Sequence, residues 1–261
     1  MKTKVLVTGA NGQLGKTIEE LFSKNEDNLD FTFVTKAELD ITKISELNLF
    51  FENNDFDYCI NCAAYTNVEQ AEKTPEIAYK VNAKGVKNLA KICKETSVIL
   101  VHISTDYVFD GEKEIPYTVD DLPNPINEYG KSKLLGEQYI QQHIEEYFII
   151  RTSWLYSEKH GKNFYKTILE KAKTEEELSI VTDQKGCPTD TVNLSKYIIQ
   201  LIIDKNCDFG IYHFTDKKAM TWYGFAQQIL KENNLSYKVK LVKVKNYRTF
   251  ARRPKNSVLI D

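Results

Sequence analysis

The segment EYGKSK sets Tyr129 and Lys133 four residues apart, which on a helix brings both side chains to one face. A phenol, with an unperturbed pKa near ~10, is a poor acid or base at neutral pH unless a neighbouring cation favours its ionised form. Lys133 supplies such a cation, and it can also hold a cofactor ribose, so one residue both orients and tunes. Upstream, VHISTDYVFDG reads as a strand ending in Ser104, Thr105 and Asp106. In a doubly wound sheet the carboxyl end of a strand opens on the ligand crevice, so a hydroxyl there can bond a carbonyl or hydroxyl oxygen beside the tyrosine. A Tyr-x-x-x-Lys spacing arises often by chance; its combination with that strand end is what gives it weight.

A second cluster lies at the start of the chain, where VLVTGANGQLGKTI places Gly9, Gly12 and Gly15 directly after a strand and at the opening of a helix. Glycines at those points allow a tight turn, close approach of backbone to phosphate and contact between helix and sheet, with the helix N-terminus facing a pyrophosphate. The second strand ends in VTKAELD, with Lys36 where an acidic residue would bind an adenosine 2'-hydroxyl, which favours NADPH and leaves NADH acceptable. Asp40 remains within reach of the adenine or ribose. In NCAAY, small residues at the end of the third strand leave room for a dinucleotide.

The elements that must carry these residues follow from the alternation of KVLVT, QLGKTIEELFSKN, DFTFVT, KISELNLFFENN and DYCIN, the rhythm of a parallel sheet with crossover helices. It continues through PEIAYKVNAKGVKNLAKICKE, with proline in its first turn, and the strand SVILVHIST. A turn-rich stretch over residues 106–128, with PYTVDDLPNP inside it, reads as an ordered binding loop. Helices near 161–173, 192–203 and 221–233 and strands LSIVT, IYHFT and KVKLV make a less regular second half. The expected fold is an α/β, Rossmann-type doubly wound parallel sheet with a smaller C-terminal substrate-binding portion. Residues 1–152 form the NAD(P)-binding domain and 153–261 mainly the substrate-binding portion, with segments in about 178–214 returning to the first sheet.

Bulk properties narrow the function. The 261 residues carry 35 basic and 37 acidic side chains interspersed along the chain, which argues against a nucleic-acid or membrane-surface partner. No apolar run is long enough to span a bilayer, and the N-terminus has no signal-peptide pattern. Five cysteines at irregular spacing fit reduced thiols in a cytoplasmic protein. Cys59 and Cys62 point to opposite faces if DYCIN is a strand, so no metal site is expected there.

Taken in order, TGANGQLG, NCAAYTNVEQAE, ISTDYVFDG, PY…DD…P…YGKSKLLGE, RTSWLY, GKNF, VTDQKGCPT and RPKNS resemble the dTDP-4-dehydrorhamnose reductase family of extended short-chain dehydrogenases over nearly the whole chain. The resemblance implies that Thr105, Tyr129 and Lys133 match the family's catalytic triad, with Asp106 and Trp154 at sugar-binding positions. Gly12, Gln13, Leu14, Asp40, Ile41, Ala63, Ala64 and Tyr65 fall on cofactor-binding positions, joined by Gly9 and Asn11 of the same turn, by Lys36, and by Tyr129 and Lys133. It further implies reduction of the 4-keto group of dTDP-4-dehydro-6-deoxy-L-mannose, with Tyr129 protonating the new oxygen. Asp183–Thr189 and Arg253–Ser257 are expected at the nucleotide-sugar cleft. Family members usually continue past RPxNS with a further helical segment, whereas this sequence ends at Asp261. Some relatives pair as homodimers through acidic residues and magnesium; a homodimer is admitted here, but no metal-ligand cluster is apparent. The rival readings are a reductase or epimerase for another nucleotide-linked deoxysugar, and a non-catalytic regulatory subunit of methionine adenosyltransferase type.

Overall fold

A computed structural model describes residues 2–24, 28–245 and 249–260 of the chain. The first half runs β1 (Thr3–Thr8), α1 (Gln13–Phe22), β2 (Leu29–Val34), α2 (Ile44–Glu52), β3 (Tyr58–Asn61), α3 (Val68–Lys73), α4 (Pro75–Tyr79), α5 (Val86–Glu95), β4 (Ile99–Thr105), α6 (Glu128–His143) and β5 (Tyr147–Thr152). A π-helical stretch, Lys80–Gly85, joins α4 to α5. The second half adds β6 (Leu155–Tyr156), α7 (Phe164–Lys171), β7 (Glu177–Val181), β8 (Lys185–Gly186), β9 (Thr189–Asp190), α8 (Thr191–Ile203), β10 (Gly210–His213), β11 (Met220–Thr221), α9 (Trp222–Glu232) and β12 (Lys240–Val244).

The central sheet has six strands in the order β10-β5-β4-β3-β1-β2, every neighbouring pair parallel. Strands such as Val5-Leu6-Val7 are buried on both faces, which is why they read as continuous apolar runs. On one face Leu47, Val86, Leu89 and Ile140 of α2, α5 and α6 pack over Leu6, Leu100 and Ile149; on the other, Leu14, Ile18, Leu194 and Ile198 of α1 and α8 cover Val5, Val101 and Phe148. This is a Rossmann-type doubly wound fold, and the chain reverses its direction of travel across the sheet between β1 and β3, where a crevice opens at the strands' carboxyl ends.

Within residues 178–214, α8 and β10 lie on this sheet, whereas β7 pairs with β12 in a separate ladder. That ladder and the helices α7 and α9 enclose another core around Ile168, Leu178, Phe225 and Ile229. The 106–128 stretch is irregular beyond a single 3-10 turn at Asp106–Val108, but it is anchored: Phe109 stacks on Tyr117 at 4.3 Å, and Tyr117 N donates to Val258 O at 2.8 Å.

Helix α6 opens with Asn127, whose side chain accepts from Gly130 N at 2.7 Å, and carries Glu128 in its first turn, favourable to the helix dipole. It then approaches its neighbours closely. A Cβ on Gly130 would stand 2.1 Å from Tyr107 O, and one on Gly136 2.2 Å from Asn82 O. Beside that contact, Glu137 and Arg151 of β5 form an ion pair at 2.7 Å with side chains 1% and 2% exposed. Ser104 Oγ donates to the same carboxylate. Removing one member of such a pair strands a buried charge, so Glu137→Ala should lower unfolding stability by about 3–5 kcal/mol in chemical denaturation. A loss below about 1 kcal/mol would contradict this account of α6.

Candidate active site

At the cofactor end β1 stops at Thr8 and the chain turns through Gly9 with φ +67°, where a Cβ would stand 2.6 Å from Ala63 N. Gly15 is equally constrained, 2.7 Å from Ala10 Cα. Helix α1 begins after Gly12 without a side-chain cap and with no acidic residue in its first turn, so its leading amides are left for an anion. Asn61 ties the two strands together at this point: its Oδ1 accepts from Thr8 Oγ1 at 2.7 Å and from Ala63 N at 3.1 Å. Asn82 holds Tyr65 in the same way, accepting from its N at 2.8 Å and donating to its O at 3.0 Å. Gln13 reaches across to Leu155 O at 3.0 Å, joining the turn to the second half.

The remaining cofactor candidates are more peripheral. Lys36 and Asn11 are exposed. Glu38 folds back on Thr35 N at 2.7 Å beside Lys36, an acidic group at the strand tip that the sequence reading passed over. Asp40 accepts from Thr42 N and Oγ1 at 3.0 and 2.9 Å. Ile41 turns its side chain into the core, where a Cβ on Gly85 would meet its Cγ1 at 2.8 Å, so only its backbone can face a ligand.

Nine of the candidate residues line one cleft of about 580 Å³: Gly12, Gln13, Leu14, Ala64, Thr105, Asp106, Tyr129, Lys133 and Trp154. Gly9, Asn11, Lys36, Asp40, Ile41, Ala63 and Tyr65 lie outside its wall. The glycine cradle, the uncapped helix and this volume together fit a dinucleotide of the NAD(P) type.

At the catalytic end Thr105 caps the 3-10 turn, accepting from Tyr107 N at 3.2 Å. Its hydroxyl donates to Asp106 Oδ1 at 3.1 Å and lies beside Tyr129, which stands edge-on to Tyr107 at 5.7 Å. Ser104, its neighbour on β4, also lines the cleft but donates its hydroxyl to Glu137. The carboxyl of Asp106 is 2% exposed and burial pushes it up to about 7, opposed by hydrogen bonds from Ser257 and Thr105. Its Oδ2 has no hydrogen-bond partner among the described residues.

The expected pairing of phenol and cation is not what the cleft contains. Lys133 turns towards β4, donating to Ile103 O at 2.7 Å and meeting His102 Nε2 at 3.1 Å. Burial, then Asp106 and Tyr107, hold Tyr129 well above the ordinary phenol range, with Thr105 opposing. Tyr129 is therefore a protonated phenol throughout the physiological range, the form a proton donor needs.

The mouth of the cleft is aromatic. Trp154, at φ +47°, stacks on Trp222 with centroids 3.6 Å apart, and Gly186 lies under it with no room for a Cβ, which would be 2.6 Å from Cε2. Trp222 Nε1 donates to Gln184 Oε1 at 3.1 Å. Of the motif residues 183–189 and 253–257, Arg253 lines the cleft; Gln184, Gly186 and Ser257 act on it through Trp222, Trp154 and Asp106. Trp222 and Tyr107 were missed from the sequence; an aromatic residue at the start of α9 or inside a single 3-10 turn carries no sequence signal of which way its ring points. Cys62 lines the cleft too, while Cys59 is buried against Cys93. All five cysteines are free.

A model of the family described as RmlD substrate binding domain matches residues 3–261. The chain belongs to this family. Among its relatives, the dTDP-4-dehydrorhamnose reductase of Aggregatibacter actinomycetemcomitans is 37% identical over 267 residues, covering 98% of this chain and 90% of that protein. The dTDP-4-keto-6-deoxy-D-glucose reductase of Streptomyces niveus is 35% identical, over 88% of this chain and 79% of that one. The crystal structure of the Bacillus anthracis dTDP-4-dehydrorhamnose reductase in complex with NADP superposes with a TM-score of 0.95 at 41% identity, covering 100% of this chain and 91% of that one.

In this RmlD-family chain the stacked pair comprises both tryptophans of the sequence. A ligand entering the cleft should therefore change the intrinsic tryptophan emission, and Trp222→Phe should remove most of that change. A cleft ligand that binds by calorimetry and leaves the emission untouched would contradict the placement.

Proposed function

We propose that this chain is an NADPH-dependent oxidoreductase that reduces the 4-keto group of dTDP-4-dehydro-6-deoxy-L-mannose to give dTDP-L-rhamnose, the last step of dTDP-rhamnose synthesis. The observation that carries the reading is that Tyr129, Thr105 and Lys133 share one cleft wall with Gly12, Gln13 and Leu14 of the glycine turn. When bound, the nicotinamide supplies the hydride for the carbonyl carbon. Thr105 orients the carbonyl oxygen, and Tyr129 gives that oxygen its proton. Asp106 accepts from a sugar hydroxyl through Oδ2, and the face of Trp154 packs against the sugar ring. Lys133 borders the cofactor ribose. Gly9, Asn11, Gly12, Gln13 and Leu14 hold the pyrophosphate, Asp40, Ile41, Ala63, Ala64 and Tyr65 border the adenosine side, and Lys36 meets the 2'-phosphate.

The same reading assigns residues 1–152, with α8 and β10, to the cofactor domain and most of 153–261 to the sugar nucleotide. A cytoplasmic location suits the five free cysteines. No helix among the described residues is long and apolar enough to cross a membrane. A homodimer belongs to the reading through the family resemblance. The Streptomyces niveus relative supports a second reading, a sister 4-reductase with a different deoxysugar.

NADPH oxidation followed by absorbance, with the 4-keto sugar generated in place by an upstream epimerase, should show consumption and formation of dTDP-rhamnose. Tyr129→Phe should lower kcat by about 100- to 10,000-fold while NADPH binding persists. Unchanged turnover in that variant would remove Tyr129 from the mechanism. NADPH binding without turnover of this sugar would favour the sister reductase or a binding module.

A further inference from the structure

His102 is fully buried on β4, behind Lys133. Both ring nitrogens are engaged, Nδ1 at 2.9 Å from Asn61 Nδ2 and Nε2 at 3.1 Å from Lys133 Nζ. The position of the ring hydrogen follows from Asn61. Ala63 N–H can only donate, and it points at Asn61 Oδ1 at 3.1 Å, where Thr8 Oγ1 also arrives at 2.7 Å. Turning the amide over would set its NH₂ against that N–H, so Asn61 Nδ2 donates to the ring and Nδ1 is the acceptor. A neutral ring then carries its hydrogen on Nε2, aimed at Lys133 Nζ. An ammonium offers three donors and no acceptor, whereas a neutral amine has a lone pair. The contact is a hydrogen bond only when Lys133 is a neutral amine, which still donates to Ile103 O at 2.7 Å.

We propose that His102 is a positioning residue that favours the neutral-amine form of Lys133, so that at alkaline pH Nζ takes up a proton from solvent when an anionic cofactor enters. The uptake half rests on the cofactor reading above; the resting state does not. The titratable groups facing Nζ are His102 on β4, Cys62 after β3 and Glu137 on its own helix, already paired with Arg151 of β5; Tyr129 lies one turn earlier on that helix and lines the same cleft. Burial draws Lys133 down to about 8, with Glu137 and Cys62 opposing, and burial followed by Lys133 holds His102 far below its ordinary range.

The sign of a substitution follows. A bond donated to the neutral amine stabilises that form, so its loss raises the titration midpoint, by about one pH unit for one hydrogen bond. In protein labelled with ¹³C at the lysine Cε, one resonance should titrate near pH 8 and be missing from Lys133→Met. His102→Leu should move that midpoint up by about one unit, and His102→Gln, whose amide can donate from the place of Nε2, should restore it. NADPH binding, followed by fluorescence, should weaken as pH rises through the same midpoint and shift with it. A folded His102→Leu protein with an unshifted Lys133 midpoint would overturn the proposal. Should His102→Leu fail to fold, ¹⁵N spectra of the histidines in the unaltered protein decide: an Nε2–H ring supports the proposal, and an Nδ1–H or doubly protonated ring overturns it. NADPH that fails to bind at any pH would overturn the uptake half together with the cofactor reading, while the lysine titration would still report the resting state.

Discussion

The site depends on how α6 lies against β4. Its buried side includes Ser132, Lys133 and Glu137 alongside Ile140 and two glycines, an unusually polar face for a helix on a sheet. Each buried polar group must find a partner or cost stability, so the helix has few acceptable placements. Lys133 reaches Ile103 O and His102, Glu137 reaches Ser104 and Arg151, and Ser132 lies between Asn82 Nδ2 and Tyr129 O. Gly130 and Gly136 let the helix come near enough for those reaches to close. Apolar residues of similar volume could hold the helix as firmly, but would not fix its rotation, and it is the rotation that puts Tyr129 beside Thr105.

The cofactor turn is constrained in a complementary way. Gly9 and Ala63 meet at the point where the chain's path across the sheet reverses, and Asn61 spans β1 to β3 and onward to His102. One run of hydrogen bonds therefore passes from Thr8 under the phosphate turn, through Asn61 and His102, to Lys133 in the catalytic wall. The glycine turn and the wall that carries Tyr129 and Lys133 are built on a common hydrogen-bonded floor, while the aromatic mouth of Trp154 and Trp222 comes from the second half of the chain.

Much of this was legible in the sequence. The alternation of apolar runs and amphipathic stretches gave the sheet and its helices, because strands covered on both faces leave an unbroken apolar signature. Gly9, Thr105, Tyr129 and Lys133 were marked by position relative to those elements. The tuning of Tyr129 by Lys133 was inferred from the i, i+4 spacing, which says that two side chains share a face but not which neighbour each prefers; His102 lies on another element and takes the lysine. Ile41 fell to the core for a similar reason, since its motif fixes the backbone and not the direction of the side chain. Glu38 and Trp222 were missed because their roles come from a turn that folds back and from a helix start more than sixty residues beyond Trp154.

The central claim, that hydride reaches the sugar C4 as this cleft supplies the proton, is tested most directly with NADPH deuterated at the transferring position of the nicotinamide. Incubated with dTDP-4-dehydro-6-deoxy-L-mannose, the protein should yield dTDP-L-rhamnose carrying deuterium at C4, with NADPH consumed in equal amount. Product without deuterium at C4, or a sugar altered with no net loss of NADPH as an epimerase would give, contradicts the account.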